Sequence, residues 1–154
     1  GSQTHPADGN TSMIVTTREM AVAMSADTKI EIRLAGFGQA RTDKAFMPHA
    51  PVPASQMALK DAGISLDAVT AVKTHNPFAV NDIVFCRETG YDIQKMNNYG
   101  CSLIWGHPQG PTGLRAICEL IEELVMRGGG YGLFNGCAAG DSSMAVVLEV
   151  KDAA

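Results

Sequence analysis

The 154-residue chain carries a formal net charge of −4, with 45% hydrophobic and 18% charged residues. That suits one ordinary domain with a sizeable core, and the acidic balance excludes the basic surface that nucleic acid or an anionic membrane would demand. No apolar stretch approaches the roughly 20 residues needed to cross a bilayer, and the polar opening GSQTHPADGN lacks the apolar run of a secretory leader.

Taken in chain order, MIVTT (13–17) predicts a short strand and REMAVAMS (18–25) a helix. IEIRLAGFG (30–38) alternates as a strand does, with Ile30, Ile32 and Leu34 on one face. A loop rich in proline follows, through Met47-Pro48-His49-Ala50-Pro51-Val52-Pro53. SQMALKDAG (55–63) predicts a helix stopped by Gly63, and AVTAVKT (68–74) a strand. Pro77 can open the helix FAVNDIVFCRETG (78–90), which is apolar round most of its circumference and so predicts cover on several sides.

GLRAICELIEELVMR (113–127) has the clearest helical period. Leu114, Ile117, Cys118, Ile121, Leu124 and Val125 form its stripe, and Glu123 can pair with Arg127 one turn on. Gly128-Gly129-Gly130 ends it, and GYGLFNG (130–136) and SMAVVLEV (143–150) are the last strands. Alternation of this kind predicts an α/β fold: a mixed five-stranded sheet, mostly parallel, with the last strand antiparallel and helices on both faces.

Chemistry concentrates in two glycine-flanked turns, NNYGCSLIWGHPQGPTG (97–113) and GCAAGDSSMA (136–145). The first sets His107 just before a helix; the second sets Cys137 at the end of a strand. One helix and one strand separate them, so both side chains can meet at one rim as an acid/base pair. His75 closes another strand, and ligands of such sheets collect beyond the carboxyl ends of strands. Cys86, Cys101 and Cys118 lie in apolar contexts and read as core, and His5 and His49 as loop residues without partners. The cysteines show neither a Cys-x-x-Cys pair nor a His at ligand spacing, so no metal is predicted. Thiols of this kind behind a polar opening predict a reducing, cytoplasmic setting. The Gly128–Gly132 run follows a helix rather than opening one, which argues against a phosphate loop.

These residues carry a resemblance. GHPQGPTGLR is similar to the Gly-His-Pro run of thiolases, and CAAGDSSMA resembles their Cys-x-Gly-x-Gly turn before the last strand. His75-Asn76-Pro77-Phe78 falls on their Asn-Glu-Ala-Phe run, and PVPA (51–54) and Asp8-Gly9 also lie where that family has them. The chain resembles a thiolase C-terminal domain over residues 1–154. His75 stands where Asn is commoner, as in the sterol-carrier-type branch with its His-Asp-Cys-Phe-like run. Ala139, Asp141 and Ser143 stand where glycines are usual.

The resemblance implies two similarly folded halves with the nucleophilic cysteine in the N-terminal one. None of the present cysteines sits in such a context, so the chain alone is expected to be inactive. In that family an acyl group rides on cysteine while a second thioester loses an α-proton, which needs bases and two oxyanion sites. The resemblance assigns His107 to draw the nucleophile's proton and bond the thioester oxygen, and Cys137 to act as second acid/base. His75 would serve an enolate oxyanion site. The backbone at Ala139 and Gly140 would line the other, with Phe78 and Trp105 along the acyl or pantetheine channel. A thiol with a resting pKa near ~8.5 needs only modest lowering for its part.

The implied substrates are coenzyme A thioesters, with no prosthetic group. The implied partners are the N-terminal half, on the same or a separate polypeptide, and further copies in a homo-oligomer. Two other readings stand beside this one. A ketoacyl-synthase-like condensing enzyme uses Cys with two His, which His75 and His107 satisfy. A non-catalytic acyl-CoA-binding or scaffold domain would need none of these residues as catalysts.

Overall fold

A computed structural model describes residues 2–152. Nine helices and strands organise them: α1 (Arg18–Met24), β1 (Ile30–Arg41), α2 (Pro51–Ala62), β2 (Val69–His75), α3 (Ala79–Thr89), α4 (Ser102–Trp105), α5 (Thr112–Met126), β3 (Gly129–Ala138) and β4 (Ser142–Asp152). The strands form one sheet in the order β1-β4-β3-β2.

The α/β class with a mixed sheet holds, with four strands in place of five. Strands β1, β2 and β3 run one way and β4 runs against them, as anticipated. Because β4 inserts between β1 and β3, only the β2–β3 pairing is itself parallel. Residues 13–17 form no strand, and Ile14 and Val15 stand 71% and 69% exposed. Their β-favouring composition finds no ladder in this chain, and an extended segment without one has nothing to hold it.

Helices cover both faces, as expected. On one, Ala54, Ala58 and Leu59 of α2 and Phe85 of α3 pack on Val72, Leu133, Ala145 and Val147. On the other, Ala116, Leu120 and Leu124 of α5 pack on Ala71, Phe134, Leu148 and Val150. Alternation along each strand separates the two sets. Helix α2 lies so close to β1 that a Cβ at Gly36 or Gly38 would run into the carbonyl oxygens of Ala58 and Ala54. Only glycine allows that approach.

Three boundaries or faces depart from the sequence reading. Helix α2 opens at Pro51, four residues earlier than expected, because proline is tolerated in a first turn whose N–H groups have no helical acceptor. In α5 the deepest row is Ala116–Leu120–Leu124; Ile117, Ile121 and Val125 of the expected stripe flank it, half-buried. Helix α3 is covered on one side and not on several: it buries Asn81, Asp82 and Phe85 and leaves Val80 and Ile83 outside, Ile83 54% exposed. A polar network recruits its inner face. The four-residue α4, within the loop leading to His107, escaped the sequence reading.

Candidate active site

The carboxyl ends of β2 and β3 lie side by side, with His75 opposite Gly136 in register and Cys137 next along β3. Beyond β2 the chain returns through residues 96–107. Asn97 N donates to Val72 O (3.0 Å), and the Asn97 side chain accepts from Thr74 N (2.8 Å), so this loop covers the open edge of β2. Lys73, 1% exposed, pins the loop from beneath by donating to Gly100 O at 2.7 Å while paired with Glu119 of α5. Such ties fix the backbone that carries His107.

His75 and His107 come together, ring centroids 4.4 Å apart and tilted by 39°. The Nδ1 atom of each is held by a hydroxyl, Ser102 Oγ at 2.6 Å for His75 and Thr112 Oγ1 at 2.8 Å for His107. His75 is 8% exposed. Burial first, then the neighbouring His107 and Arg115, push its pKa down to about 4. Burial also lowers that of His107. Both imidazoles are therefore neutral at physiological pH: each can accept a proton or donate a hydrogen bond from an uncharged ring.

Cys137 faces the other side of the strand ends. Its thiol is buried and accepts from Asn81 Nδ2 of α3 at 3.3 Å. Burial pushes the thiol pKa up, opposed by the Asn81 bond. The expected modest lowering is thus reversed in this chain, because desolvation of the thiolate outweighs one amide donor. Asp82, one residue on, accepts from Thr74 Oγ1 (2.6 Å), Asn76 Nδ2 (2.6 Å) and Asn97 Nδ2 (3.2 Å). Its pKa is raised by burial, against the pull of those three donors. Asn76 Oδ1 in turn accepts from Leu103 N at 3.2 Å. A buried carboxylate so bonded locks the end of β2 to α3 and to the His107 loop.

Residues 2–7 run as a strap across this rim. Thr4 N donates to Pro77 O (2.7 Å), His107 N to His5 O (2.8 Å), and Thr4 Oγ1 to Ser102 O (2.5 Å). Gly106, at φ +85°, sits beneath it; a Cβ there would lie 2.6 Å from that of Ala7. The glycine before His107 is thus a requirement of close passage. Strap and rim border an open cleft of about 250 Å³ lined by Thr4, His5, Pro77, Phe78, His107 and Gln109, among others.

Phe78 therefore lies at the cleft, as does His5, which the sequence presented as a loop residue. Trp105 turns away, half-exposed, its indole N–H on Tyr99 O at 2.8 Å. Ala139 and Gly140 form the exposed tip of the β3–β4 hairpin, with Gly140 at φ +80°. Ser102, Thr112, Asn81 and Asp82 were missed as functional neighbours. Asn81 and Asp82 had one sequence signal, polar residues within a helix otherwise read as apolar; Ser102 and Thr112 had only their places in the glycine-flanked turn 97–113. Cys86 and Cys101 pack as expected; Cys118 is only half-buried, its sulfur 3.8 Å from Thr11 Oγ1, and all four cysteines are free thiols. Among the described residues no group of acidic, His or Cys side chains could hold a metal, and no helix is long and apolar enough to cross a membrane.

Residues 28–150 match the family model described as "Thiolase, C-terminal domain". The chain is 33% identical over 149 residues to the mitochondrial 3-ketoacyl-CoA thiolase of Homo sapiens, covering 97% of this chain and 37% of that protein. It is 30% identical over 141 residues to an acetyl-CoA acetyltransferase of Pseudomonas aeruginosa, covering 92% and 35%. Among solved structures, human mitochondrial 3-ketoacyl-CoA thiolase superposes with a TM-score of 0.74 at 35% identity, covering 77% of this chain and 30% of that one. The acetyl-CoA acetyltransferase of Bacillus anthracis does so with a TM-score of 0.74 at 30% identity over the same shares. The chain spans about a third of the length of the curated relatives it matches.

Proposed function

The chain belongs to the thiolase family, matching its C-terminal domain, and from that premise we propose that it supplies the acid–base half of an acyl-CoA acyltransferase site. That site makes or thiolytically cleaves 3-ketoacyl-CoA. The carrying observation is the pair of neutral imidazoles 4.4 Å apart at the strand ends, with a buried thiol on the neighbouring strand.

In this reading a cysteine of the N-terminal half carries the acyl group. His107, its Nδ1 held by Thr112, takes the proton from that nucleophile and bonds the thioester oxygen. Cys137 removes the α-proton of the second thioester as carbon–carbon bond formation begins, or returns it in cleavage. Its raised pKa makes it a strong base once ionised, and the enolate formed is stabilised by donation from His75. The hairpin tip at Ala139 and Gly140 borders the second oxyanion site. Coenzyme A thioesters are the substrates, their pantetheine arm approaching past Phe78; a solved relative is described in complex with CoA.

An N-terminal half would find an apolar surface to sit on. Beside α5 the sheet face over β1 is bare, with Ile32, Leu34, Phe37 and Met144 exposed. The half-buried second row of α5 adjoins it. A domain of matching apolar character, and further copies of the assembly, would cover such a surface. Four free thiols suit a reducing compartment such as the cytoplasm.

The test is exchange of the acyl-CoA α-proton with deuterium in the assembled enzyme. Cys137→Ala should slow it by about 10²- to 10⁴-fold, the usual loss for a positioned acid/base, while the acyl-enzyme still forms. Exchange at the wild-type rate would make Cys137 structural. The adjacent pair His75–His107 also favours a second reading, a condensing enzyme with two histidines on one oxygen. A requirement for malonyl rather than acyl thioesters would select it.

A further inference from the structure

His75 ends β2 with its ring buried, and Nδ1 lies 2.6 Å from the hydroxyl of Ser102, itself fully buried. One proton serves that contact, and it can sit on either atom. If Nδ1 donates, the hydroxyl proton of Ser102 must find another acceptor; the nearest is the Cys101 sulfur at 3.9 Å, a weak partner at that distance. If the hydroxyl donates, the short contact is fully used, the hydroxyl proton has its acceptor, and the ring's one N–H is left on Nε2.

From this we infer that Ser102 is a positioning residue: its hydroxyl donates to His75 Nδ1 and so fixes the ring proton on Nε2, the atom left free for substrate. His75 thereby meets a substrate oxygen as a hydrogen-bond donor and not as a base. The inference rests on the reading above, in which His75 serves an oxyanion.

The backbone around Ser102 is built to hold such a contact. Its carbonyl accepts from Thr4 Oγ1 at 2.5 Å and from Gly106 N at 3.0 Å, and the next N–H, that of Leu103, bonds Asn76 Oδ1 at 3.2 Å. The hydroxyl is thus fixed relative to the end of β2 by three ties that do not involve it. Burial keeps the ring uncharged, so a single tautomer decides what it offers. Without the hydroxyl the two neutral forms would mix, and each molecule in the wrong one would present a lone pair to an anionic oxygen.

The direct measurement is long-range proton–nitrogen correlation of ¹⁵N-histidine in the 154-residue chain at neutral pH, with His75 assigned by loss of its signals in His75→Asn. The expected pattern is a protonated Nε2 and an unprotonated Nδ1. Ser102→Ala should mix the tautomers, and Ser102→Thr should restore the wild-type pattern. In the assembled enzyme Ser102→Ala should lower kcat with KM retained, by the about 10- to 100-fold typical of groups that orient a reactive imidazole. A protonated Nδ1 in the unaltered chain overturns the inference without any variant, as does an unchanged pattern in Ser102→Ala. If the tautomer is as expected but His75→Ala keeps full turnover, the oxyanion reading falls and the assignment of Ser102 to the tautomer stands.

Discussion

Helices α3 and α5 cover opposite faces of one sheet and hide opposite kinds of side chain. The inner line of α5 is Ala116, Leu120 and Leu124, and the strength of its docking is the apolar area removed from water. The inner line of α3 carries Asn81 and Asp82 beside Phe85, and its apolar Val80 and Ile83 look outward. Both helices serve the site, by different routes. Helix α5 gives a rigid base from whose first turn Thr112 steadies His107. Helix α3 reaches the candidate site directly, Asn81 to the Cys137 thiol and Asp82 to the end of β2. Helix α5 is held chiefly by apolar burial, with Glu119 and Glu123 tied to Lys73 and Asn98 at its margin; α3 is held chiefly by hydrogen bonds that specify position.

The contrast can be broken at several points. Leu120→Ala removes fully buried carbon from α5 and should cost about 2–5 kcal/mol in urea unfolding. A much smaller loss would mean that α5 is not the better-packed helix. Next comes the response to acid. The buried, uncharged His75 titrates near about 4, well below the ordinary 6.5. The unfolded chain therefore takes up a proton that the folded chain refuses. Stability is full above about 6.5 and falls as pH drops towards about 4, by on the order of 3 kcal/mol. Asp82, its pKa raised, acts in the opposite sense at the acid end, so the comparison is with His75→Asn. The thermal midpoint of that variant should fall less between pH 7 and pH 4.

Asp82→Ala leaves Thr74, Asn76 and Asn97 without their shared acceptor and should cost about 1–3 kcal/mol. Loss of assembled-enzyme activity should exceed what that destabilisation explains, since the His107 loop hangs on the same network. Equal losses would reduce α3 to a second packing helix. The smallest effect is expected at Ile83→Ser, on the outer face of α3. Stability of the chain should change by no more than about 0.5 kcal/mol. A large drop would show that this face is covered already in the isolated chain.

What the sequence disclosed follows the same division. Period and turn residues placed α5, the final hairpin and the direction of every surviving strand, because those features rest on burial and backbone geometry. The two turns bearing His107 and Cys137 were readable for the same reason. The inward face of α3 was not, since a helix apolar round most of its circumference singles out no face. What turns it is a set of bonds from Thr74 of β2 and from Asn76 and Asn97 of two loops, whose convergence no helical or strand period reveals. The strand expected at 13–17 failed on a related ground: β-propensity describes fitness for a ladder, and the ladder must come from elsewhere. Desolvation of Cys137 was equally hidden, being a property of its surroundings and not of the residue.

The place of β4 in the sheet has a consequence for how the molecule comes into being. The last strand in sequence lies between β1 and β3, so Ile30 finds its neighbour only at Asp152. While the chain leaves the ribosome, β1 waits through roughly 100 further residues, about 5–20 s at ordinary elongation rates. Until then β1 and the β2–β3 pair are separate pieces, each with an open hydrogen-bonding edge facing the gap. Closing it converts both at once into a single sheet, so the sheet completes cooperatively and only once β4 is available. Between synthesis of β1 and of β4 these edges need shielding, and a stop shortly before β4 would leave sticky edges and not a smaller working domain.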